Sequence, residues 1–188
     1  IVETIYMDQL DEMKRQAAAE ELGVTSEELA AWTEAASGLG EGSDSDAKGE
    51  AISEEAKTKL EDIDSIAGAM SGEEAAAYYL SKHPELKGCF GTNADAVTLG
   101  LEALRTMEQS EEIALVGFDA GKEQLEALEA GEIDGLVVQN PFGMGYATVV
   151  AAARTILEIG NEAVVDTGYT WVDKENMEDG SVQMMLYE

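Results

Sequence analysis

Apolar positions along the chain repeat with two periods. Five short runs read as strands: Val2–Met7, Leu86–Gly91, Ile113–Phe118, Gly135–Gln139 and Val164–Val172. The middle three are short and almost wholly apolar, the pattern of strands buried on both faces of a parallel sheet. Between and after them the spacing becomes helical. Val97, Leu101 and Leu104 line one stretch, and Leu125 and Leu128 line the next, which Gly131 closes as a C-cap. Tyr146, Val149, Val150, Ala153, Ile156 and Leu157 form the longest apolar stripe. This alternation predicts an α/β fold with a doubly wound, mainly parallel sheet.

Residues 20–74 depart from that rhythm. They consist largely of Glu, Asp, Ala, Ser and Gly, with few large apolar side chains. A helix is still legible there, because Ala56, Leu60, Ile63, Ala67 and Met70 recur at alternating spacings of four and three. Ser53, followed by Glu54 and Glu55, is its N-cap, with acids in the first turn. Ser26 opens a second helix that carries Leu29, Trp32 and Ala36 on one side. The glycine-rich run Gly38–Ser43 between the two predicts a loop. Composition thus divides the chain into an incomplete lobe, residues 1–19 and 75–188, and an acidic helical insertion with a flexible middle, residues 20–74.

Charge supplies an exclusion. Forty Asp and Glu face 11 Lys and Arg, for a net charge of −29. The segment 20–74 alone holds sixteen acids and three bases. Such a surface repels phosphate, so direct nucleic-acid contact by this chain is excluded, and an anionic membrane is repelled likewise. A single cysteine, Cys89, excludes an internal disulfide framework. None of the apolar runs reaches the length of a membrane span. The chain opens on a strand-like run without initiator Met or signal peptide, so it is expected to be a fragment of a longer protein.

In open α/β sheets ligands bind beyond the carboxyl ends of the strands. The three middle strands end in Gly91-Thr92-Asn93, Gly117-Phe118-Asp119 and Gln139-Asn140-Pro141. Asn and Gln both donate and accept hydrogen bonds, and Asp offers two acceptor oxygens. The set suits a polyhydroxylated ligand. Asn93 and Asp119 also stand where helix N-caps belong, so a purely capping role fits them equally. Gln139 fits that reading poorly, because it interrupts an apolar strand just before a proline turn.

Beyond these, the motifs follow one another in a familiar order. His83-Pro84-Glu85-Leu86-Lys87-Gly88 leads into a strand, and Thr92-Asn93 precedes Leu99-Gly100-Leu101-Glu102-Ala103-Leu104. Then come Val116-Gly117-Phe118-Asp119, Leu125 to Gly131 with Ile133-Asp134, Gln139-Asn140-Pro141-Phe142 with Met144-Gly145, and Val172-Asp173-Lys174-Glu175-Asn176. Over about residues 81–177 the chain resembles the C-terminal lobe of the type I periplasmic-binding-protein family. That family includes the sugar-binding proteins of bacterial ABC importers and the effector domains of lactose-repressor-like regulators. The resemblance implies that Asn93, Asp119 and Gln139 hydrogen-bond a bound sugar. The chain departs from the family where Ala94 stands between Asn93 and Asp95, so no role carries over to Asp95.

The resemblance also implies what is absent. A whole member has two lobes with the ligand between them, and residues 1–7 would be the second strand of the C-terminal lobe. In the family the helix after the Gln-containing segment packs on the other lobe. The Tyr146–Leu157 stripe is therefore expected to need a partner: the missing N-terminal lobe, a second copy in a homo-oligomer, or a rearranged docking. The 20–74 insertion is not part of the usual pattern. The function implied is binding of a small polar, sugar-like ligand as half of an ABC-importer solute-binding protein. Its partner would be a permease or sensor, and its place extracytoplasmic, periplasmic or on a cell-surface lipoprotein. The alternative is the ligand-sensing effector domain of a cytoplasmic lactose-repressor-like regulator, or of a membrane sensor.

Other chemistry is weakly supported. Asp44, Asp46, Glu50 and Glu55 match positions of a calcium loop, but Lys48 occupies a ligand position. His83 is the only histidine and reads as a loop residue beside Pro84. Cys89 lies within a strand run and reads as core. Spacings for zinc, for a nucleophile paired with a base, and for a phosphate loop are not found. The expectation is a binding module with no cofactor, not an enzyme.

Overall fold

The computed structural model describes residues 3–37, 52–110, 112–162 and 164–186. It divides into two compact units, residues 1–84 and 85–188. The first is helical and the second carries the sheet.

In the first unit Met7–Gln9 form a 3-10 turn, followed by helices α1 (Leu10–Glu21), α2 (Ser26–Ser37), α3 (Glu54–Ala69) and α4 (Gly72–Ser81). Ser53 caps α3 as its sequence implies, its side chain accepting from the Ala56 N–H at 3.2 Å. Ser71 and Glu74 make a full capping box at the start of α4. The compositional boundary at 74/75 therefore falls inside a helix. The core is rich in alanine: Ala18, Ala19, Ala56 and Ala67 are buried together with Val24, Leu29, Leu60 and Ile63. Ala75, Ala76 and Ala77 are buried on α4. Polar links tie the helices from outside. Arg15 Nε donates to Asp64 Oδ1 at 2.8 Å, from α1 to α3. Lys82 Nζ donates to Glu20 at 2.7 Å and lies 4.4 Å from the Tyr78 ring centroid. The bonds from Lys82 and Tyr78 hold the Glu20 carboxyl below its usual range.

Of the expected strand Val2–Met7, the described residues 3–7 form no strand. Residues 3–6 have no regular structure, and the 3-10 turn begins at Met7. A short apolar run becomes a strand only where a ladder accepts its backbone groups. The sheet described here is drawn from residues 88–172 alone.

The second unit contains β1 (Gly88–Phe90), α5 (Ala94–Thr106), β2 (Ala114–Phe118), α6 (Lys122–Ala130), β3 (Gly135–Gln139), α7 (Pro141–Ile156), β4 (Tyr169–Val172) and α8 (Gly180–Gln183). The strand order is β1-β2-β3-β4. The first three strands are parallel and β4 is antiparallel to β3. The sequence-based fold class, α/β with a mainly parallel open sheet, is the one observed. The last strand is shorter than its apolar run: Val164 and Val165 are exposed, and the ladder starts at Tyr169.

Leu115, Leu136, Val138 and Val172 are fully buried on one sheet face. Helix α5 packs there, with Val97, Leu101 and Leu104 also fully buried. Its approach is so close that a Cβ on Gly117 would lie 2.1 Å from a Val97 methyl, which requires glycine. Gly131 ends α6 at φ 87°, the left-handed cap that its sequence implies. Arg105 of α5 bonds Glu132 just beyond α6 through Nε at 2.9 Å, and a second guanidinium N–H also donates to that carboxylate. This pairing holds Glu132 below the usual carboxylate range. Among the described residues, no helix is long and apolar enough to cross a membrane.

Candidate functional site

The β1-α5, β2-α6 and β3-α7 junctions lie along one edge of the sheet. Each helix runs back from the strand before it, so its positive N-terminal end meets the strand's carboxyl end. Asn93, Asp119 and Gln139 stand at the ends of three neighbouring strands. At the usual strand spacing this set spans about 10 Å, the scale of one small polar molecule.

The three side chains are held differently. Asn93 is the N-cap of α5, with Oδ1 accepting from the Ala96 N–H at 2.8 Å. The cap consumes its acceptor and leaves the amide N–H groups to donate outward. The capping and ligand readings of Asn93 are thus compatible, because each uses a different atom. Asp119 adopts φ 71°, a left-handed backbone uncommon outside glycine. Its N–H is tied to the Val137 carbonyl at 3.0 Å. Its Oδ1 accepts from Gln139 Nε2 at 3.0 Å. The cap position of α6 belongs to Gly121, two residues later, so Asp119 is not the α6 cap. Strain of this kind collects at functional sites. Gln139 is the last residue of β3 and is exposed. The structure therefore joins Asp119 to Gln139 directly and keeps Asn93 at the next strand end. After their mutual bond, one oxygen of Asp119 and the Gln139 carbonyl remain to accept, and the Gln139 amide retains a second N–H.

Two further residues hold the edge, and the sequence reading did not single out their roles. Gln124 is the one buried polar side chain among the described residues, at 2% exposure. It accepts from the Gly121 N–H and donates to the Phe118 carbonyl, both at 2.8 Å. This closes the turn that carries Asp119. The available signal was its place three residues after the cap, the capping-box spacing. Asn140 caps α7, accepting from the Gly143 N–H at 2.8 Å, with Pro141 at the first helical position.

The remaining candidates fall elsewhere. Of the calcium-loop residues, Asp44, Asp46 and Glu50 lie outside the described residues, and Glu55 is exposed in the first turn of α3. Among the described residues, no cluster of three His, Cys, Asp or Glu side chains is arranged to hold a metal. His83 follows α4 in a turn, with Nε2 3.5 Å from Glu3. Cys89 is half-buried on β1, and burial pushes its thiol pKa up, away from nucleophilic use.

Known proteins agree with this architecture. No curated protein matches the chain. A solute-binding protein of an ABC transporter from Agrobacterium vitis, solved with bound D-fucose, aligns over 69% of this chain and 50% of its own, with 21% identity and TM-score 0.57. A carbohydrate transporter solute-binding protein from Agrobacterium radiobacter, solved with D-arabinose, aligns over 95% and 63%, with 23% identity and TM-score 0.57. A LacI-family regulator from Brachyspira murdochii aligns over 62% and 40%, with 27% identity and TM-score 0.50. The chain spans about half the length of these structures. Residues 42–161, beginning inside the acidic segment, match the periplasmic binding protein domain. That match takes in well over half of the sequence, and the chain belongs to the periplasmic binding protein domain family.

Proposed function

We propose that this chain is the ligand-binding half of an ABC-importer solute-binding protein for a small neutral sugar. The observation that carries the reading is the Asp119–Gln139 pair, joined at 3.0 Å at the ends of two adjacent parallel strands. Asn93 at the next strand end adds outward donors. Alternating donors and acceptors along about 10 Å match vicinal hydroxyls, which need both. The bound fucose and arabinose of the two Agrobacterium proteins support the same ligand class.

The reading is non-catalytic. Binding would be completed by a second lobe that meets the ligand from the opposite side. Closure of two lobes on the ligand is the signal that a permease reads, because only the closed state contacts the ligand from both sides. The corresponding place is extracytoplasmic. The similarity to the Brachyspira regulator supports a second reading, an effector lobe coupled to a DNA-binding domain elsewhere. The net charge of −29 then requires DNA contact to lie outside this chain.

Half a cleft binds weakly. A few hydrogen bonds from one lobe support an affinity on the order of 1 mM, about −4 kcal/mol. A thermal-shift screen of neutral monosaccharides at tens of millimolar, by the linkage of roughly 2 kcal/mol at such saturation, raises the melting temperature of the chain. Asn93→Ala, Asp119→Ala and Gln139→Ala each reduce that rise. Shifts unchanged in all three variants would defeat the assignment.

A further inference from the structure

The hydrogen bonds that hold Asn93 and Asp119 also decide in which sense each can bond a ligand. A side-chain amide can present either its oxygen or its nitrogen, and its fixed partners select between them. At Asn93 the partner is a backbone N–H, which can only donate. Oδ1 therefore turns to the Ala96 N–H at 2.8 Å, and Nδ2 is the atom left to meet a ligand. At Asp119 the reverse holds. Both carboxylate oxygens can only accept, and Oδ1 already accepts from Gln139 Nε2 at 3.0 Å. Oδ2 is left as a pure acceptor. Gln139 keeps its carbonyl and one N–H, so it bonds a hydroxyl in either sense.

The backbone gives these groups little freedom to reverse. The Gly91 N–H donates to the Val116 carbonyl at 2.9 Å and fixes the strand end that precedes Asn93. The Asp119 N–H is bonded to the Val137 carbonyl at 3.0 Å, and Ala120 beside it is fully buried. Gln124 bonds the Phe118 carbonyl before Asp119 and the Gly121 N–H after it. Lys122, the base nearest to Asp119 in sequence, stands 3.9 Å from Glu126 instead.

We infer that this edge selects its ligand by the direction of its hydrogen bonds: the group that meets Asp119 must donate, and the group that meets Asn93 must accept. The inference rests on the sugar-binding reading above and narrows it to a substrate class. A hydroxyl serves at both positions because it donates and accepts. An ammonium serves at Asp119 and is refused at Asn93, where two donors would meet. A carboxylate or phosphate is refused at Asp119, where two anions would share one site. The class is therefore neutral sugars and amino sugars; a sugar acid fits only with its carboxylate turned away from this edge. Bonds to an ionised acceptor are the stronger kind, so Asp119 discriminates more sharply than Asn93.

The test replaces single hydroxyls by fluorine, which cannot donate, or by ammonium, which cannot accept. The full 188-residue chain is titrated with D-fucose, D-arabinose, D-galactose and D-glucose, followed by amide NMR. The tightest binder is then compared with its monofluoro and monoamino derivatives. One fluoro derivative, substituted where the sugar meets Asp119, binds roughly tenfold more weakly than the parent. The amino derivative at that same position binds at least as tightly as the parent. Asp119→Asn keeps an acceptor for Gln139 but turns an N–H outward, and the fluorine penalty disappears. Asn93→Asp keeps the helix cap but turns an oxygen outward, and a fluorine penalty appears at a second position. Neither inversion follows if these residues only hold the backbone. If the parent sugar binds and Asp119→Ala abolishes it, yet every fluoro derivative binds alike, the inference is overturned and the sugar site stands. A fluorine penalty that survives Asp119→Asn overturns it in the same way. Failure of all the sugars to bind, or binding indifferent to Asp119→Ala, overturns the sugar reading and the inference with it.

Discussion

The two units carry almost the same charge and use it in opposite ways. Residues 1–84 hold 20 acids and 6 bases, and residues 85–188 hold 20 acids and 5 bases. In the first unit acids occur on every helix, around a core rich in alanine. In the second the acids stop at Asp134 and resume at Glu158. The interval contains β3, Gln139 and all of α7. Uniform charge solvates helices that have little apolar area to hide. Interrupted charge leaves one acid-free stretch, from the buried strand β3 through the exposed helix α7. The total of −29 shows neither fact; only its distribution does.

The cores differ in the same way, and substitutions can break that contrast. Leu136 is fully buried at the centre of the sheet. Leu136→Ala, which leaves a cavity, costs about 2–5 kcal/mol in urea unfolding. In the helical unit volume is the limit instead. Ala18 is fully buried among close-packed helices, and Ala18→Leu costs about 1–3 kcal/mol by overpacking. If Ala18→Leu were neutral, the alanine core would be loosely packed and the contrast would fail.

Gln124 sharpens the comparison at the site. Gln124→Leu leaves the Gly121 N–H and the Phe118 carbonyl without their partner, at about 1–3 kcal/mol. It also lowers the sugar response without touching ligand, and a variant of normal stability would remove Gln124 from the account. Asp119 tests stored strain. Asp119→Gly and Asp119→Ala both lose the carboxylate, yet glycine accepts φ 71° and alanine does not. The glycine variant is more stable than the alanine variant by about 1 kcal/mol, and neither responds to sugar. Equal stabilities would mean that the left-handed backbone costs nothing there.

The smallest effect is electrostatic. Folding lowers the Glu132 carboxyl through Arg105. Its contribution is therefore complete above the ordinary value of 4.5 and is lost as pH falls below it. For so exposed a pair, Glu132→Gln costs less than about 1 kcal/mol at neutral pH. The deficit closes below pH 4.5 in thermal melts. A deficit independent of pH would assign the effect to packing.

Local rules were legible wherever one segment decides its own structure. Ser53 and the Ala56–Ile63 stripe placed α3, Gly131 ended α6, and Gly135–Gln139 is the strand that its apolar run describes. Asn93, Asp119 and Gln139 were legible as strand-end polar residues. What failed to show depends on neighbours distant in sequence. Val2–Met7 has strand composition, but its described residues 3–7 join no ladder. Val164 and Val165 look like strand and lie exposed, because β3 pairs only from Tyr169 onward. Gln124 was hidden because a glutamine on an acidic helix reads as surface. Only the Phe118–Gly121 turn makes it buried. The Asp119–Gln139 bond needed the register of β2 against β3.

The most direct measurement is an amide NMR titration of the chain with the monosaccharide that gives the largest thermal shift. The account predicts perturbations concentrated at residues 91–96, 118–124 and 139–143, saturating in the millimolar range, about 1–10 mM, and abolished in Asp119→Gly. Perturbations centred on other residues, or unchanged in that variant, would contradict it.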